Sequence, residues 1–303
     1  MSASAPFAVR LVADADDLAA AFALRARVFV EEQGVPAELE RDAFDALSRH
    51  VLAVDAEGGA VGTGRLAPDG RIGRLAVRAD RRGRGIGEAL LHALLDAARD
   101  AGLATTYLHA QLQAMQLYAR AGFVAEGPRF EEAGIVHRTM RRHAGAAFAV
   151  DDMEAAVDTT VTLIASARRR LWLRTRDLDP GLFDQPDVLA ALRGFSTSAR
   201  GASVRILLQD PATVQRRGTP LLALAQRLPS VFELRAAVDP VDREFAGAFL
   251  VNDAGGFHVR TLGNRIDGEA ATDLSGRARQ LAQQFAPVWE RSRVCGEFRA
   301  LGI

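Results

Sequence analysis

The sequence contains little of what marks secreted or membrane-embedded proteins. Cys295 is its only cysteine, so no internal disulfide can form and a reducing compartment is favoured. No window reaches the roughly 20 consecutive apolar residues that span a bilayer, because Arg, Asp or Gly interrupts every run. The first residues also lack the charged start and apolar core of a secretory signal. We therefore expect a cytoplasmic protein that is not embedded in a membrane.

The chain also lacks an excess of charge of either sign. Lys plus Arg and Asp plus Glu both total 38 in 303 residues, which gives a formal net charge of zero. No overall field draws such a protein to nucleic acid or to an anionic membrane, and neither is expected as a partner. Apolar residues make up 49% of the chain, enough to bury the cores of two domains. Any basic site must therefore be local.

A stretch of small residues, HAGAAFAVDD (143–152), separates two blocks of the sequence and is typical of a linker. We predict one domain over residues 1–145 and a second over residues 146–303. Both blocks mix strand and helix patterns, so the fold class predicted for the chain is α/β. In the second block helices and strands alternate, which predicts a sandwich with a largely parallel sheet.

One bend concentrates glycine and arginine. The stretch RLAVRADRRGRGIGEALL (74–91) runs from an apolar strand into a leucine-rich helix. Its glycines allow the backbone to approach a ligand closely, and the free amides and dipole at the start of the helix favour an anion. Arginine forks would add charge for a diphosphate. The stretch therefore predicts a phosphate-binding turn built from Arg81, Arg82, Gly83, Arg84, Gly85 and Gly87.

Three other interpretations of this bend compete with a phosphate-binding turn. A nucleotide P-loop needs Lys-Ser/Thr after its glycines, whereas Glu88-Ala89 follow here. A dinucleotide-binding turn would open a βαβ unit with an acidic residue about 20 positions further on, which does not describe this strand-rich context. A solvated arginine turn, with glycines serving geometry alone, remains the structural alternative.

The same stretch resembles motif A of the GNAT superfamily, the acyl-CoA N-acyltransferases, through Arg82-Gly83-Arg84-Gly85-Ile86-Gly87. Downstream, QLQAMQLYARAGF (111–123) resembles motif B, with Gln111 where many members carry Asn. The segments 24–53 and 131–142 resemble the small bacterial ElaA-like branch. The resemblance covers residues 7–142.

The resemblance implies the α+β GNAT fold, a mixed sheet splayed open between its fourth and fifth strands. It also implies acetyl-CoA as the acyl donor, with its pantetheine arm lying in the gap like an added strand. A backbone amide near the end of the fourth strand would stabilise the oxyanion. The positions expected to contact the donor are Leu75, Ala76, Val77, Arg82, Gly83, Arg84, Gly85, Ile86, Gly87 and Gln111.

Transfer of an acyl group to an amine also needs a base and an acid. A primary amine with a pKa near 10.4 is almost wholly protonated at neutral pH, so a base or a water chain must remove a proton. We favour Glu32, from a polar group whose other members are Glu31, Asp42, Asp45 and His50; the alternative is that this group only caps helices and forms surface ion pairs. Tyr118, in register with motif B, is the candidate acid for the thiolate, and its alternative role is packing on a helix face.

Two of the histidines have predicted roles at the acceptor side. His50 and His137 are predicted to contact the acceptor, His137 together with Glu131 and Glu132, although a structural strand histidine is equally plausible at 137. No role is assigned to His92 or His109. No metal is expected, because no His, Cys or Asp group has ligand spacing. Covalent catalysis is not expected either, because neither Cys295 nor any serine lies in a nucleophile elbow.

The second block resembles one half of a phospholipase D-like domain, through ARRRLWLRTRDLD and ARGASVRILLQD. That family cleaves phosphodiesters with a His-x-Lys motif, and the matching place reads Asp242-Arg243-Glu244-Phe245-Ala246-Gly247. The nucleophile is missing, so no phosphodiester cleavage is expected. The block would instead serve as an accessory domain that positions the acceptor, forms a homodimer or binds an anion. The arginines considered for an anion are Arg174, Arg176, Arg205 and Arg265.

These observations predict an acetyl-CoA-dependent N-acetyltransferase that acts on a small-molecule amine by direct attack in a ternary complex. The alternative is a non-catalytic regulatory protein that binds acyl-CoA or another anion.

Overall fold

The computed structural model describes residues 7–198 and 200–298. Its contacts group these residues into two units. The first comprises the described residues up to Leu117 together with Gly127–Ala144, and the second comprises Tyr118–Glu126 and the described residues from Gly145 onward. The segment Tyr118–Glu126 thus groups with the second unit, where the hydroxyl of Thr162 donates to the carbonyl oxygen of Phe123 over 3.1 Å.

The first unit begins with a four-stranded antiparallel sheet in the order β1-β2-β3-β4. Two of its connections are tight turns, at Gly58 and Gly70, where positive φ values of 82° and 86° require glycine. Helix α1 is capped by Asp14, whose carboxylate accepts from the amide of Asp17, and it continues into a π-helical turn over Ala26–Glu32. The elements are β1 (Phe7–Leu11), α1 (Ala15–Arg25), α2 (Ala37–Glu40), β2 (Arg49–Asp55), β3 (Ala60–Leu66) and β4 (Ile72–Val77).

A long helix and a second, smaller sheet follow. The leucines at 90, 91 and 94 are fully buried, as the predicted apolar stripe requires. The small sheet has the order β5-β7-β6. These elements are α3 (Ile86–Asp100), β5 (Thr105–Gln111), α4 (Met115–Arg120), β6 (Val124–Glu132) and β7 (Ile135–His143).

The two sheets of the first unit meet where β4 begins. Arg71, just before β4, forms a single parallel bridge with Tyr107 of β5, and the amide of Tyr107 donates to the carbonyl oxygen of Gly70 over 3.1 Å. Among the described residues no further pairing joins the two strands. The strands therefore separate from this point, which confirms the predicted splay between the fourth and fifth strands.

The second unit is built on an eight-stranded sheet in the order β15-β11-β10-β9-β12-β13-β14-β8. Only β9, β10 and β11 are parallel to one another, and the other pairs in the described chain are antiparallel. The prediction of a largely parallel sheet was therefore wrong. The parallel region ends at β9, because β12 runs antiparallel to β9 and the strands beyond it continue in antiparallel pairs, β12 with β13 through the tight turn at Gly255 and β13 with β14. The strands are β8 (Phe148–Val150), β9 (Arg170–Thr175), β10 (Ser203–Leu208), β11 (Phe232–Ala236), β12 (Ala248–Asn252), β13 (Phe257–Arg260), β14 (Gly268–Ala271) and β15 (Arg293–Val294).

Helices cover both faces of this sheet. A hydrophobic core lies on each face of the sheet. Because side chains alternate along β10, Ile206 lies in one core and Leu207 lies in the other. The second core is completed by α10, where Phe285 stacks on Trp289 with ring centroids 5.3 Å apart. No helix of the described residues is both long and apolar enough to cross a bilayer. The helices are α5 (Met153–Ser166), α6 (Pro186–Ser198), α7 (Pro211–Arg217), α8 (Pro220–Arg227), α9 (Pro240–Arg243) and α10 (Ser275–Arg291).

Candidate functional site

The glycine-rich turn lies between the end of β4 and the start of α3. Gly83 and Gly85 have φ values of +73° and +80°, a region that residues with a Cβ avoid. A Cβ built on either of them would meet nothing within 4 Å, so the glycines serve backbone conformation and leave open space. The first main-chain bond of α3 runs from Ala89 to Gly85, and within the described chain the amides of residues 83–88 donate to no main-chain oxygen. Those amides are available to an anion.

The arginines around the turn differ in their hydrogen-bond and ion-pair partners. Arg78 forms a fork with Asp80, and Arg81 contacts Asp55 over 3.1 Å. Arg82 forms a fork with the carboxylate of Glu32, with distances of 2.6 and 2.7 Å, and its Nε donates to the carbonyl oxygen of Val77 over 3.0 Å. Arg84 is exposed and its side chain has no hydrogen bond or ion pair with any described residue. Arg84 is thus the loop cation that is free in this structure.

Strand β4 is irregular in its pairing with β3. Its register with β3 shifts between Thr63 and Arg65, and Arg74, opposite this shift, has a φ of +52°, so β4 carries a bulge. The Arg74 guanidinium is held by the carbonyl oxygens of Leu39 and Glu40, each over 2.9 Å.

Alternation along β4 decides which of its amides face the gap. The amide of Arg78 donates to Val61 on β3, and strand groups alternate in direction. Ala76 therefore faces β3, while Leu75 and Val77 present their amides to the open edge. Of the three predicted oxyanion positions, Leu75 and Val77 fit and Ala76 does not, because its amide belongs to the ladder.

The other side of the gap is bounded by the end of β5. Gln111 donates from its side-chain amide to the side-chain oxygen of Gln33 over 3.2 Å. Gln33 follows Glu32 at the end of the π-helical turn. The end of this turn therefore contacts both sides, Arg82 after β4 through Glu32 and Gln111 on β5 through Gln33.

Two family models match the chain. An acetyltransferase (GNAT) domain matches residues 13–144, and a domain of unknown function, DUF7931, matches residues 152–301. YjcF of Bacillus subtilis, named as an uncharacterized N-acetyltransferase, is 37% identical over 131 residues, which cover 42% of this chain and 93% of YjcF. The chain belongs to the GNAT acetyltransferase family.

Solved structures are similar to the same region. An acyl-CoA N-acyltransferase from Pseudomonas aeruginosa is 32% identical, with a TM-score of 0.41, and the match covers 45% of this chain and 99% of that one. ElaA of Escherichia coli is 27% identical, also with a TM-score of 0.41, covering 45% of this chain and 99% of ElaA. GNAT acetyltransferases use acetyl-CoA as the acyl donor.

Asp42 and Asp45, two of the acidic residues considered as the base in this GNAT domain, are held by arginines. Arg25 is fully buried and contacts both Glu40 and Asp45, and Arg65 forks onto Asp42 and reaches Asp45 over 2.8 Å. Hydrogen bonds from Arg25 and Arg65 outweigh burial and hold the pKa of the Asp45 carboxyl far below its usual range. The Arg65 fork likewise lowers the pKa of Asp42. Neither group has the near-neutral pKa that a general base needs.

His50 belongs to the same buried cluster. Its side chain is 5% exposed, and Nε2 lies 2.9 Å from the carbonyl oxygen of Asp45. Burial lowers the pKa of the imidazole. The structure thus places His50 in the core, which does not support the predicted contact with the acceptor.

Glu32 is exposed at the gap, but its fork with Arg82 lowers the pKa of the carboxyl. A carboxylate stabilised as an anion is a poor proton acceptor from an amine. The geometry therefore gives Glu32 a role in holding Arg82 and does not support its prediction as the base.

Tyr118 lies in α4, with its ring edge-on to Phe123 at 6.2 Å. Burial raises the pKa of the phenol to about 12, so the hydroxyl stays protonated at neutral pH. No described residue forms a hydrogen bond with it. The prediction of Tyr118 as the acid stays a prediction.

A polar cluster at the gap contains His137 and Glu132, which the sequence predicts as contacts of the acceptor, and His109, to which the sequence assigns no role. His109 of β5 lies 2.9 Å from Glu132 through Nδ1, and its ring meets Phe130 edge-on at 4.8 Å. His137 stacks on the far side of Phe130 at 6.0 Å, and its Nδ1 lies 2.8 Å from the carbonyl oxygen of Ile135. Alternation in TTYLHAQ places His109 and Gln111 on one face of the strand, and this signal could have identified His109.

In the second unit, most of the arginines considered for an anion are occupied. Arg174 is 5% exposed, donates to the carbonyl oxygen of Asp242 over 3.0 Å and lies 3.9 Å from the centroid of the Phe245 ring. Arg205 lies over Trp289, and Arg265 pairs with Asp267. Arg176 is exposed and its side chain bonds to no described residue. Within residues 7–198 and 200–298, no three His, Cys, Asp or Glu side chains are arranged to hold a metal ion.

Proposed function

We propose that the GNAT domain, residues 13–144, transfers an acetyl group from acetyl-CoA to a primary amine by direct attack within a ternary complex. The observation that carries this proposal is the gap between β4 and β5, with the glycine turn beyond the end of β4. An unpaired strand edge suits an extended amide-containing arm, and free amides with Arg84 suit a diphosphate. Nothing in the turn fills the space over Gly83 and Gly85. These residues therefore fit the donor.

Each residue of the donor site has a defined task in this scheme. The amides of residues 83–88 and the guanidinium of Arg84 would bind the phosphates, joined by Arg82 once Glu32 is displaced. Among them, Ile86 has a buried side chain and contributes only its amide. The outward amides of Leu75 and Val77 would stabilise the oxyanion that develops on the carbonyl, a preorganised contact that requires no side chain. Gln111 would hydrogen-bond the donor arm on the β5 side.

Tyr118 would supply the proton that the departing thiolate needs. The raised pKa of its phenol means that the proton is present throughout the physiological range, and a thiolate whose conjugate acid lies near 8.5 accepts it only from a well-placed donor.

The test is Tyr118→Phe in the full chain. We expect kcat to fall about 100-fold, since loss of a positioned acid costs 10²–10⁴, while the affinity for CoA in calorimetry stays unchanged. Thiol release from acetyl-CoA with spermidine, lysine and benzylamine measures turnover. All 38 basic residues of the sequence are arginine, so acetylation of its own lysines cannot contribute to the signal.

The matched control is Tyr107→Phe, at the only other tyrosine. Its hydroxyl donates to Asp69 over 2.5 Å, and we expect kcat to remain within about twofold of the wild type because that contact serves structure. If the wild-type protein binds CoA but acetylates no amine, the result supports the competing proposal, a non-catalytic regulatory protein that binds acyl-CoA. Failure to bind CoA would refute both.

For the second unit, we propose an accessory role on a degenerate phospholipase D-like fold. The place of the missing nucleophile holds α9, where Asp242 is buried and forks with Arg291 over 2.6 and 2.7 Å. A carboxylate in that pairing does not replace a histidine nucleophile. The roles proposed for this unit are positioning of the acceptor, formation of a homodimer or binding of an anion, for which Arg176 is exposed and its side chain bonds to no described residue.

A further inference from the structure

His109 lies between two charged groups from neighbouring elements. Glu132 of β6 approaches Nδ1 at 2.9 Å, and Nη2 of Arg71, which precedes β4, approaches the same nitrogen at 3.0 Å. Arg71 also pairs with Glu132 over 3.5 Å. These are the charged groups that face His109, while His137 of β7 lies beyond Phe130.

Two neighbours compete for Nδ1 and favour opposite tautomers: an N–H on this nitrogen would donate to Glu132, whereas a lone pair would accept from Arg71. A lone pair on Nδ1 would face the Glu132 carboxylate and be repelled by it, whereas an N–H there donates to the carboxylate. Arg71 also pairs with Glu132 over 3.5 Å, so its guanidinium has a second acceptor beside the ring, whereas the carboxylate can only accept; we therefore assign the N–H to Nδ1. The neutral ring then keeps its lone pair on Nε2, and no described residue bonds to that nitrogen.

The position of His109 in the sheet matters as much as its tautomer. Arg71 and Tyr107 form a parallel bridge. Two residues further along each strand, His109 therefore lies opposite Gly73, next to the bulge at Arg74. Arg71 and His109 contact each other through their side chains, which places residues 71, 73 and 109 on one face. A Cβ built on Gly73 would meet nothing within 4 Å, so the face beside His109 is open.

We propose that His109 is the general base of the reaction, with Glu132 as its positioning residue. The inference rests on the proposed function and names the group that deprotonates the acceptor. Nε2 takes one proton from the ammonium group and leaves a neutral amine. The amine nitrogen forms the C–N bond to the thioester carbonyl carbon, the C–S bond breaks, and sulfur leaves with its electron pair. Tyr118 gives its proton to the departing sulfur, and the second proton of the amine nitrogen replaces it. His109 then releases its proton to water.

The other groups considered as the base, apart from the exposed Glu31, are engaged elsewhere. Glu32, Asp42 and Asp45 are each held by an arginine fork, and His50 is buried. His137 stands on the opposite side of the Phe130 ring. His109 alone of these groups combines a carboxylate partner, a free ring nitrogen and an open neighbouring face.

The first measurement needs no turnover. Long-range ¹H–¹⁵N correlation spectra of the full chain above neutral pH distinguish the protonated from the unprotonated ring nitrogen, with His109→Gln used to assign the signal. We expect Nδ1–H and a bare Nε2 at His109, and loss of this preference in Glu132→Ala. A neutral ring with its proton on Nε2 would overturn the proposal.

The second measurement is kinetic. At neutral pH we expect kcat/KM of His109→Gln to fall about 100-fold, and the deficit to shrink as the pH approaches the pKa of the amine near 10.4, where the acceptor deprotonates itself. Exogenous imidazole should restore part of the rate to His109→Ala. Glu132→Ala should lose about tenfold and Glu132→Gln less, because the amide oxygen still accepts from Nδ1. CoA affinity should not change in any of these variants.

The matched control is His92→Gln, which removes an exposed histidine of α3 and should keep wild-type kinetics, with no response to imidazole. If the wild type acetylates amines and His109→Gln does so equally well at every pH, the inference fails while the proposed function stands. If the wild type acetylates none of the amines, the proposed function fails and the inference with it.

Discussion

At the scale of single residues, the arginines of the first unit are distinguished by their partners. Arg82 holds Glu32 with two short contacts on an exposed surface, and a carboxylate fork occupies the donors that a phosphate would use. Arg84, two positions further on, has no such partner. Arg84 can therefore bind an anion directly, whereas Arg82 must first release the carboxylate of Glu32.

This arrangement predicts the effect of Glu32→Gln. A neutral amide holds Arg82 less firmly, so CoA should bind between about two- and fivefold more tightly, the range that an exposed ion pair is worth. Calorimetry at low and high salt measures it, with the gain shrinking at high salt. The neighbouring Glu31→Gln, which removes an exposed carboxylate of the same charge, should leave CoA affinity unchanged. Weaker binding in Glu32→Gln would show instead that Glu32 orients Arg82 for the phosphate.

The residue-level predictions succeeded or failed according to how local their causes are. The glycine turn follows from the residues that form it, since positive φ and open space are properties of Gly83 and Gly85 themselves. The role of Asp45 could not be predicted, because Arg25 and Arg65 reach it from 20 positions away on either side. Strand alternation could place His109 on the same face as Gln111, but its role could not be predicted, because its partners Arg71 and Glu132 are distant in sequence.

At the scale of elements, three irregularities shape the gap. The π-helical turn at Ala26–Glu32 interrupts a helix, the bulge at Arg74 interrupts β4, and the left-handed Gly85 lies directly before α3. Of these, only the last has a sequence signal. GRLAV reads as an ordinary alternating strand, and ARVFVEE as an ordinary helix, because bulges and π turns depend on tertiary pairing.

The turn predicts opposite effects for two neighbouring glycines. Gly85→Ala adds a Cβ to a residue with φ +80° and should lower the free energy of unfolding by about 1 kcal/mol while weakening CoA binding as the amides shift. Gly87→Ala adds a Cβ inside α3 that meets Leu117 and Val77 at 3.8 and 3.9 Å. It should keep or raise stability, because alanine favours helix by up to about 1 kcal/mol. Urea unfolding followed by far-UV circular dichroism compares the two. Equal stability of Gly85→Ala and wild type would contradict the left-handed conformation.

At the scale of the whole molecule, the chain offers a probe that separates its units. Its two tryptophans, Trp172 and Trp289, both lie in the second unit, so tryptophan fluorescence follows the unfolding of that unit alone. The eight-stranded sheet of the second unit contains His258, on β13. This residue pairs with Leu250 of β12 on one side and Ala270 of β14 on the other, and it is only 3% exposed. Its Nε2 has no hydrogen-bond partner in the described chain.

His258 predicts how the second unit responds to acid. Burial, with a smaller contribution from the positive charge of Arg260, lowers the pKa of the imidazole to about 4, against about 6.5 in an unfolded chain. Because the unfolded state takes up the proton first, stability is complete above pH 6.5 and falls as the pH drops towards 4, by about 3 kcal/mol in all. Urea unfolding followed by tryptophan fluorescence across this range measures the loss. His258→Leu should flatten the curve between these pH values, and His92→Gln should keep it. An unchanged slope in His258→Leu would mean that another group, such as Asp179 beside Arg260, sets the acid response of this sheet.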